Sequence, residues 1–135
     1  MDGLLLDSEG LSKLYRKDRT VAALVQAAPE EGVRVATSAM TTLEADYERI
    51  HPIRFKWVLS RVDVHDVHDV HDVTKEVTDQ AATLLRAHHL HSHKHAIDGA
   101  FAVIARNAPR PVTVLTSDPE DLTLLCGPSV EVVKV

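Results

Sequence analysis

Apolar positions along the chain fall alternately into short runs and helical faces. Leu4, Leu5 and Leu6 form an uninterrupted apolar run that ends at Asp7. Lacking a period of two, the run predicts a strand buried on both faces, as in a parallel sheet. Ser8 stands where it can cap a helix carrying Leu11 and Leu14. Val21, Leu24, Val25 and Ala28 share a helical spacing and predict a second helix from about Asp18, broken over residues 29–32. Residues 33–36 read as a second strand. Thr37 and Ser38 then cap a helix to about Ile50, with Glu44 roughly two turns in. His51-Pro52 restarts the chain, residues 53–60 read as a helix, and a third strand begins at 61–64. Thr74 caps a helix with Val77, Ala81, Leu84 and Leu85 on one face. Residues 88–95 hold five histidines in eight positions and read as a loop. From His95, the residues Ile97, Phe101, Ile104 and Ala105 define a helical face that Pro109 stops, with Asp98 in its first turn. Residues 111–115 read as a fourth strand. Pro119 suits the first position of a last helix, which Gly127-Pro128 closes before a fifth strand over 130–135.

One stretch breaks the pattern. Val-His-Asp occurs three times in tandem over residues 64–72. A period of three matches neither a strand nor a helix, so the run reads as a solvated expansion at the third strand and the turn after it. Elsewhere, five strands alternating with about seven helices predict a mostly parallel sheet with helices on both faces, an α/β fold. The 135 residues suit one domain, 1–135, with a single core. Aromatics make up only 4%, so that core must be aliphatic. The lone Cys126 excludes an internal disulfide and fits a reducing compartment. Met1-Asp2 is not followed by a basic region and a long apolar stretch, and no apolar run approaches the ~20 residues of a membrane span. A cytoplasmic protein is therefore expected. A net charge of -5 argues against broad binding of polyanions but leaves room for a local basic track.

Chemistry enters with the acids at or near element ends. Asp7 follows strand one, Glu44 lies in the helix after strand two, Asp98 opens the helix before strand four, and Asp118 and Asp121 follow strand four. Each has a purely structural reading. Asp7 can cap a helix, Glu44 can be solvated, Asp98 can meet a helix dipole, and Asp118 with Asp121 makes a helix-start signature. Asp7 is the least comfortable of these, because a carboxylate ending a buried strand needs compensation. Together the acids repel one another unless a cation neutralises them, and oxygen ligands select Mg²⁺ or Mn²⁺. Such ions activate water and stabilise the leaving oxygen of a phosphodiester.

Four segments carry a resemblance. LLLDSEGLSKL, TSAMTTLEADY, HKHAIDGAFAVIA and VTVLTSDPEDL, in that order, make the chain resemble a PIN domain, and within it the VapC-type toxins of bacterial toxin–antitoxin pairs. The resemblance covers essentially the whole chain. It implies a three-layer α/β/α sandwich around a five-stranded sheet and a Mg²⁺- or Mn²⁺-dependent endoribonuclease. It implies Asp7, Glu44, Asp98 and Asp118 as catalytic acids, and Asp7, Asp98, Asp118 and Asp121 as the metal set. Thr116 or Ser117 matches the family's polar residue near the metal, and Ser8 is a further supporting polar residue. Family members are homodimers held inactive by a cognate antitoxin. The tandem run departs from the family's pattern and puts one sheet edge in question.

The remaining histidines and cations have competing readings. His65, His68 and His71 fit a solvated loop better than a metal site, because a three-residue spacing in an extended chain splays the side chains, whereas ligands must converge. His93, Lys94 and His95 lead into the Asp98 helix and flank the acids. Lys94, Arg49 and Arg54 are candidate RNA contacts, with Lys56 and Arg61 on the same track, and a solvated helix surface is the alternative. A haloacid-dehalogenase-like phosphatase also starts with a strand ending in Asp, but needs a second Asp where Glu9 stands. A receiver domain needs an adjacent acidic pair and a late lysine. A catalytically weak PIN fold that binds RNA or protein without cutting is the rival of a different class.

Overall fold

The computed structural model describes residues 3–41 and 70–135. Their elements run β1 (Gly3–Leu6), α1 (Ser8–Tyr15), α2 (Arg19–Ala27), a 3-10 turn (Pro29–Glu31), β2 (Arg34–Ser38), β3 (Val70–His71), α3 (Lys75–Ala87), α4 (Ser92–Asn107), β4 (Val112–Thr116), α5 (Pro119–Cys126) and β5 (Val130–Lys134). A further helix begins at Ala39. The helices expected to about Ile50 and over 53–60, and the strand start at 61–64, lie outside the described residues.

The five strands form one sheet in the order β3-β2-β1-β4-β5, and every pairing is parallel. The leucine run explains the layering. Successive side chains of a strand point to opposite faces, so Leu4 and Leu6 join Leu11, Tyr15, Val21 and Val35 under α1 and α2. Leu5 joins Leu85, Phe101, Val114 and Leu122 under α3, α4 and α5. β1 is therefore buried on both sides, and the molecule is a three-layer α/β/α sandwich. Burying each of these leucines contributes about 1.5–3 kcal/mol.

Local signals set most boundaries. Asp18 and Thr74 cap α2 and α3, accepting from the N–H groups of Val21 (3.0 Å) and Val77 (3.2 Å). Two expectations change. The cap of α1 is Asp7, whose Oδ1 accepts from Gly10 N–H at 2.8 Å, and Ser8 is the first helical residue. The histidine stretch is a helix junction rather than a loop. His89 adopts a left-handed conformation (φ 55), Leu90 N–H donates to Leu85 O at 2.9 Å, and His89 N–H donates to Arg86 O at 3.1 Å. That pairing is a Schellman stop, satisfying carbonyls that α3 leaves open. α4 then starts at Ser92, so Asp98 is its seventh residue and not in its first turn.

The tandem run also joins the sheet. Val70 and His71, from its last unit, pair with Thr37 and Ser38 as an edge strand of two residues. A strand that short needs only one Val-His step, so a period of three does not exclude it, and short edge strands are common. The three units are identical, so removing residues 64–66 presents the same sequence to β2. We expect that deletion to change the melting temperature by less than about 4 °C, equivalent to roughly 1 kcal/mol at this size. A larger loss in a thermal melt would mean that the upstream units carry structure of their own.

Candidate metal centre at the end of the first strand

Strand order reverses beside β1. The chain moves from β1 to β2 and β3 on one side, then returns to lay β4 on the other. In open parallel sheets the crevice at such a switch point, outside the carboxyl ends of the strands, is where ligands bind. Asp7 follows β1 at this crevice and Thr116 ends β4 beside it. Asp7 N–H donates to Leu115 O at 3.3 Å, tying the two ends together.

Buried hydroxyls line the same edge. Thr37 Oγ1 donates to Leu6 O at 2.8 Å, holding the end of β1 against β2. Ser38 Oγ accepts from Thr41 N–H at 3.1 Å, while Thr41 Oγ1 accepts from Ser38 N–H at 3.0 Å. This reciprocal box opens the helix at Ala39, with threonine in the place that Glu or Gln usually takes. Of the two expected caps, Ser38 is the one in this box, and Thr41 is a partner not expected from the sequence, although the Ser-x-x-Thr spacing carries the signal. Thr116 Oγ1 accepts from Asp118 N–H at 3.1 Å and bonds the Asp7 carboxyl. It also lies 3.3 Å from Asp118 O. A hydroxyl has one proton, and the charged acceptor makes the stronger bond.

Asp7 is 7% exposed. Burial pushes its carboxyl up from 3.8 to about 6, against the lowering effect of the Gly10 N–H and Thr116 bonds, and the charges of Glu9 and Asp98 add to the rise. Asp98 reaches this neighbourhood from α4. It also converges with two other groups: one ligand atom from each of His95, Asp98 and Asp121 lies within 4.8 Å of the others. His95 and Asp98 are three apart on α4 and so share a face. Asp121 comes from the first turn of α5. His95 is 8% exposed, with Nδ1 3.5 Å from Asp121 Oδ2. The donor set fits a divalent cation, which would neutralise carboxylates that otherwise oppose one another and offset the cost of ionising Asp7.

The other named residues fall around this group. Asp118 is exposed at the N-cap of α5, makes no side-chain cap bond and is not one of the three converging groups. Ser117 Oγ is buried without a hydrogen-bond partner among the described residues. Ser8 is half-buried next to Asp7, and Lys94 is exposed in the first turn of α4. Glu44, Arg49, Arg54, Lys56 and Arg61 lie outside the described residues. His95, read from sequence only as flanking the acids, stands inside the converging group. What the sequence does not show is Asp121, which α5 brings to the face that His95 and Asp98 share.

No family model matches the chain, and no curated protein matches it. Among solved structures, a chain of the crystal structure of VapBC2 from Rickettsia felis, bound to a DNA fragment from their promoter, has the same fold. The TM-score is 0.65 at 13% identity, covering 98% of this chain and 98% of that one. Among the described residues, no helix is long and apolar enough to cross a membrane.

The folded Asp7 carboxyl holds its proton more tightly than the unfolded one does. Its ionised form therefore opposes folding, fully above about pH 6 and not at all well below 3.8. Asn keeps the cap bond and removes the charge. In EDTA at pH 7.5, Asp7→Asn should melt above wild type, by an amount bounded at roughly 3 kcal/mol, and the gain should fade between pH 6 and 4. Melts across that range check it, and a gain that grows on acidification has the wrong sign. Excess Mn²⁺ should narrow the gap if the acids hold a cation, since a cation bound only by the folded wild-type cluster would stabilise it.

Gly10 gives a second test. A Cβ there would lie 2.8 Å from Leu115 O. Gly→Ala in an open helix stabilises by about 0.5–1 kcal/mol. Here the added methyl meets backbone, so Gly10→Ala should destabilise by about 1–3 kcal/mol. A chemical denaturation midpoint equal to or above wild type would show that α1 can move off β4.

Proposed function

We propose that the protein is a VapC-like, metal-dependent endoribonuclease of a toxin–antitoxin pair. The observation that supports it best is the convergence of Asp98 from α4 with Asp121 from α5, with the charge of Asp98 also felt at Asp7, which follows β1 at the strand-order reversal. The fold shared with a VapBC2 chain and the four ordered motifs point the same way.

In this reading Asp98 and Asp121 hold a divalent cation, Mg²⁺ or Mn²⁺, with Asp7 alongside and Glu44 and Asp118 completing the acidic set. The cation, when bound, supplies an activated water and charge to offset the developing oxyanion. Asp7 remains ionised beside it, held in place by Gly10 N–H and the Thr116 hydroxyl. Thr116, Ser117 and Ser8 support the acids, and Lys94, Arg49 and Arg54 contact RNA phosphates. A cognate antitoxin and a second copy of the chain are the protein partners.

The test is RNA cleavage by protein free of contaminating nuclease, with Mg²⁺ or Mn²⁺ and with EDTA. Wild type should cut only with metal. Asp98→Asn keeps the shape but loses the charge a hard cation requires, and should lower the rate by roughly 100-fold or more. That is at or beyond the 10–100-fold typical of losing a partner behind the ligands. Near-wild-type cleavage by that variant, folded as judged by circular dichroism, would falsify the assignment.

A further inference from the structure

We propose that His95 is a direct ligand of the cation held by Asp98 and Asp121, making a histidine-plus-carboxylate centre that prefers Mn²⁺ over Mg²⁺. The proposal rests on the metal-dependent reading above and extends it to the identity of the ion.

Three observations carry it. The first is placement. His95 is nine-tenths buried, and its imidazole lies within the group formed by Asp98 and Asp121. The i, i+3 spacing on α4 keeps His95 and Asp98 on one helix face, so the helix presents both to the crevice at once.

The second is distance. His95 Nδ1 and Asp121 Oδ2 are 3.5 Å apart. That is long for an N–H···O hydrogen bond, which clusters at roughly 2.7–3.2 Å. It suits two ligands of one ion. Bonds of about 2.0–2.2 Å put neighbouring ligands roughly 3–3.5 Å apart. All three ligand atoms lie within 4.8 Å of one another, so closing them to the roughly 3–3.5 Å of neighbouring ligands takes a contraction of at most about 1.3–1.8 Å.

The third is chemistry. Carboxylate and water oxygens suit Mg²⁺, Ca²⁺ and Mn²⁺, whereas imidazole suits the transition metals, for which affinity rises along the Irving–Williams order. An imidazole among carboxylates therefore weights the site towards Mn²⁺ and later ions. The rival account makes His95 a structural partner that only orients Asp121. Gln in its place separates the two, because Gln retains a donor for Asp121 and removes the imidazole nitrogen.

The experiment uses the whole chain with Mn²⁺ and Mg²⁺ alone as probes. Electron spin-echo envelope modulation of the Mn²⁺ complex should show coupling to a bound ¹⁴N nucleus in wild type, lost in His95→Gln. Calorimetric titration should give wild type a preference for Mn²⁺ over Mg²⁺ of about tenfold or more, falling to about threefold or less in the variant, with Mg²⁺ affinity little changed. Absence of nitrogen coupling in the wild-type complex overturns the proposal and needs no variant to fold. So does an unchanged preference in His95→Gln. The cleavage assay separates this from the parent reading. Nitrogen coupling in a protein that cuts no RNA leaves the ligand assignment standing and removes the ribonuclease. Equal cleavage with both ions and no nitrogen coupling does the reverse.

Discussion

A carboxylate at the end of a strand buried on both faces sets the terms for the rest of the molecule. β1 lies in the middle of the sheet, with apolar layers above and below, and its polypeptide emerges straight into Asp7. Water is largely excluded there, so the charged form of Asp7 is costly. The protein does not remove the charge. It surrounds the carboxyl with donors, the Gly10 N–H and the Thr116 hydroxyl, and brings further acids towards it. Donors alone would favour the ion, and added acids alone would suppress it. Together they leave a buried carboxyl whose ionised form opposes folding.

The parts around Asp7 are held by rigid elements. Thr37 clasps the end of β1 across the sheet, and the Ser38–Thr41 box opens the next helix at the same level. Gly10 lets α1 press against the backbone of β4, which keeps Asp7 and Thr116 within reach of each other. On the opposite layer, Gly99 sits where a Cβ would lie 2.9 Å from Leu85, so α4 crosses α3 closely just beyond Asp98. The face of α4 carrying His95 and Asp98 is thereby fixed in height and rotation. Precision of this kind matters more to a metal site than to a surface contact, because ligands must converge to within a few tenths of an ångström.

Cys126 shows the same low-dielectric interior from the other side. Burial pushes its thiol up to about 12, with the charge of Asp98 adding to the rise and that of Arg106 opposing it. The thiol is buried within the second core layer and packs with its apolar residues. Among the described residues, the charge of Asp98 is felt at both Asp7 and Cys126.

Much of this was legible in the sequence because it is local. An apolar run without alternation sufficed for β1, helical spacing for α2 to α4, and a proline in first position for α5. Asp7 and Asp121 could be singled out because each stands at or near the end of an apolar element, whereas the first-turn placement expected for Asp98 is overturned by the start of α4 at Ser92. What the sequence could not decide depends on pairings between distant segments. Strand order is one: β1 neighbours both β2 and β4, and only the resulting reversal makes a crevice beside Asp7. The edge strand at Val70 and His71 is another, since its pairing comes from β2 and not from its own period of three. His95 is the clearest case. The sequence places it with His93 and Lys94 beside the Asp98 helix, and does not show which of them meets Asp121. The Schellman stop at His89 ends α3, α4 starts at Ser92, and packing of α4 against α3 and α5 brings the His95 imidazole to Asp121.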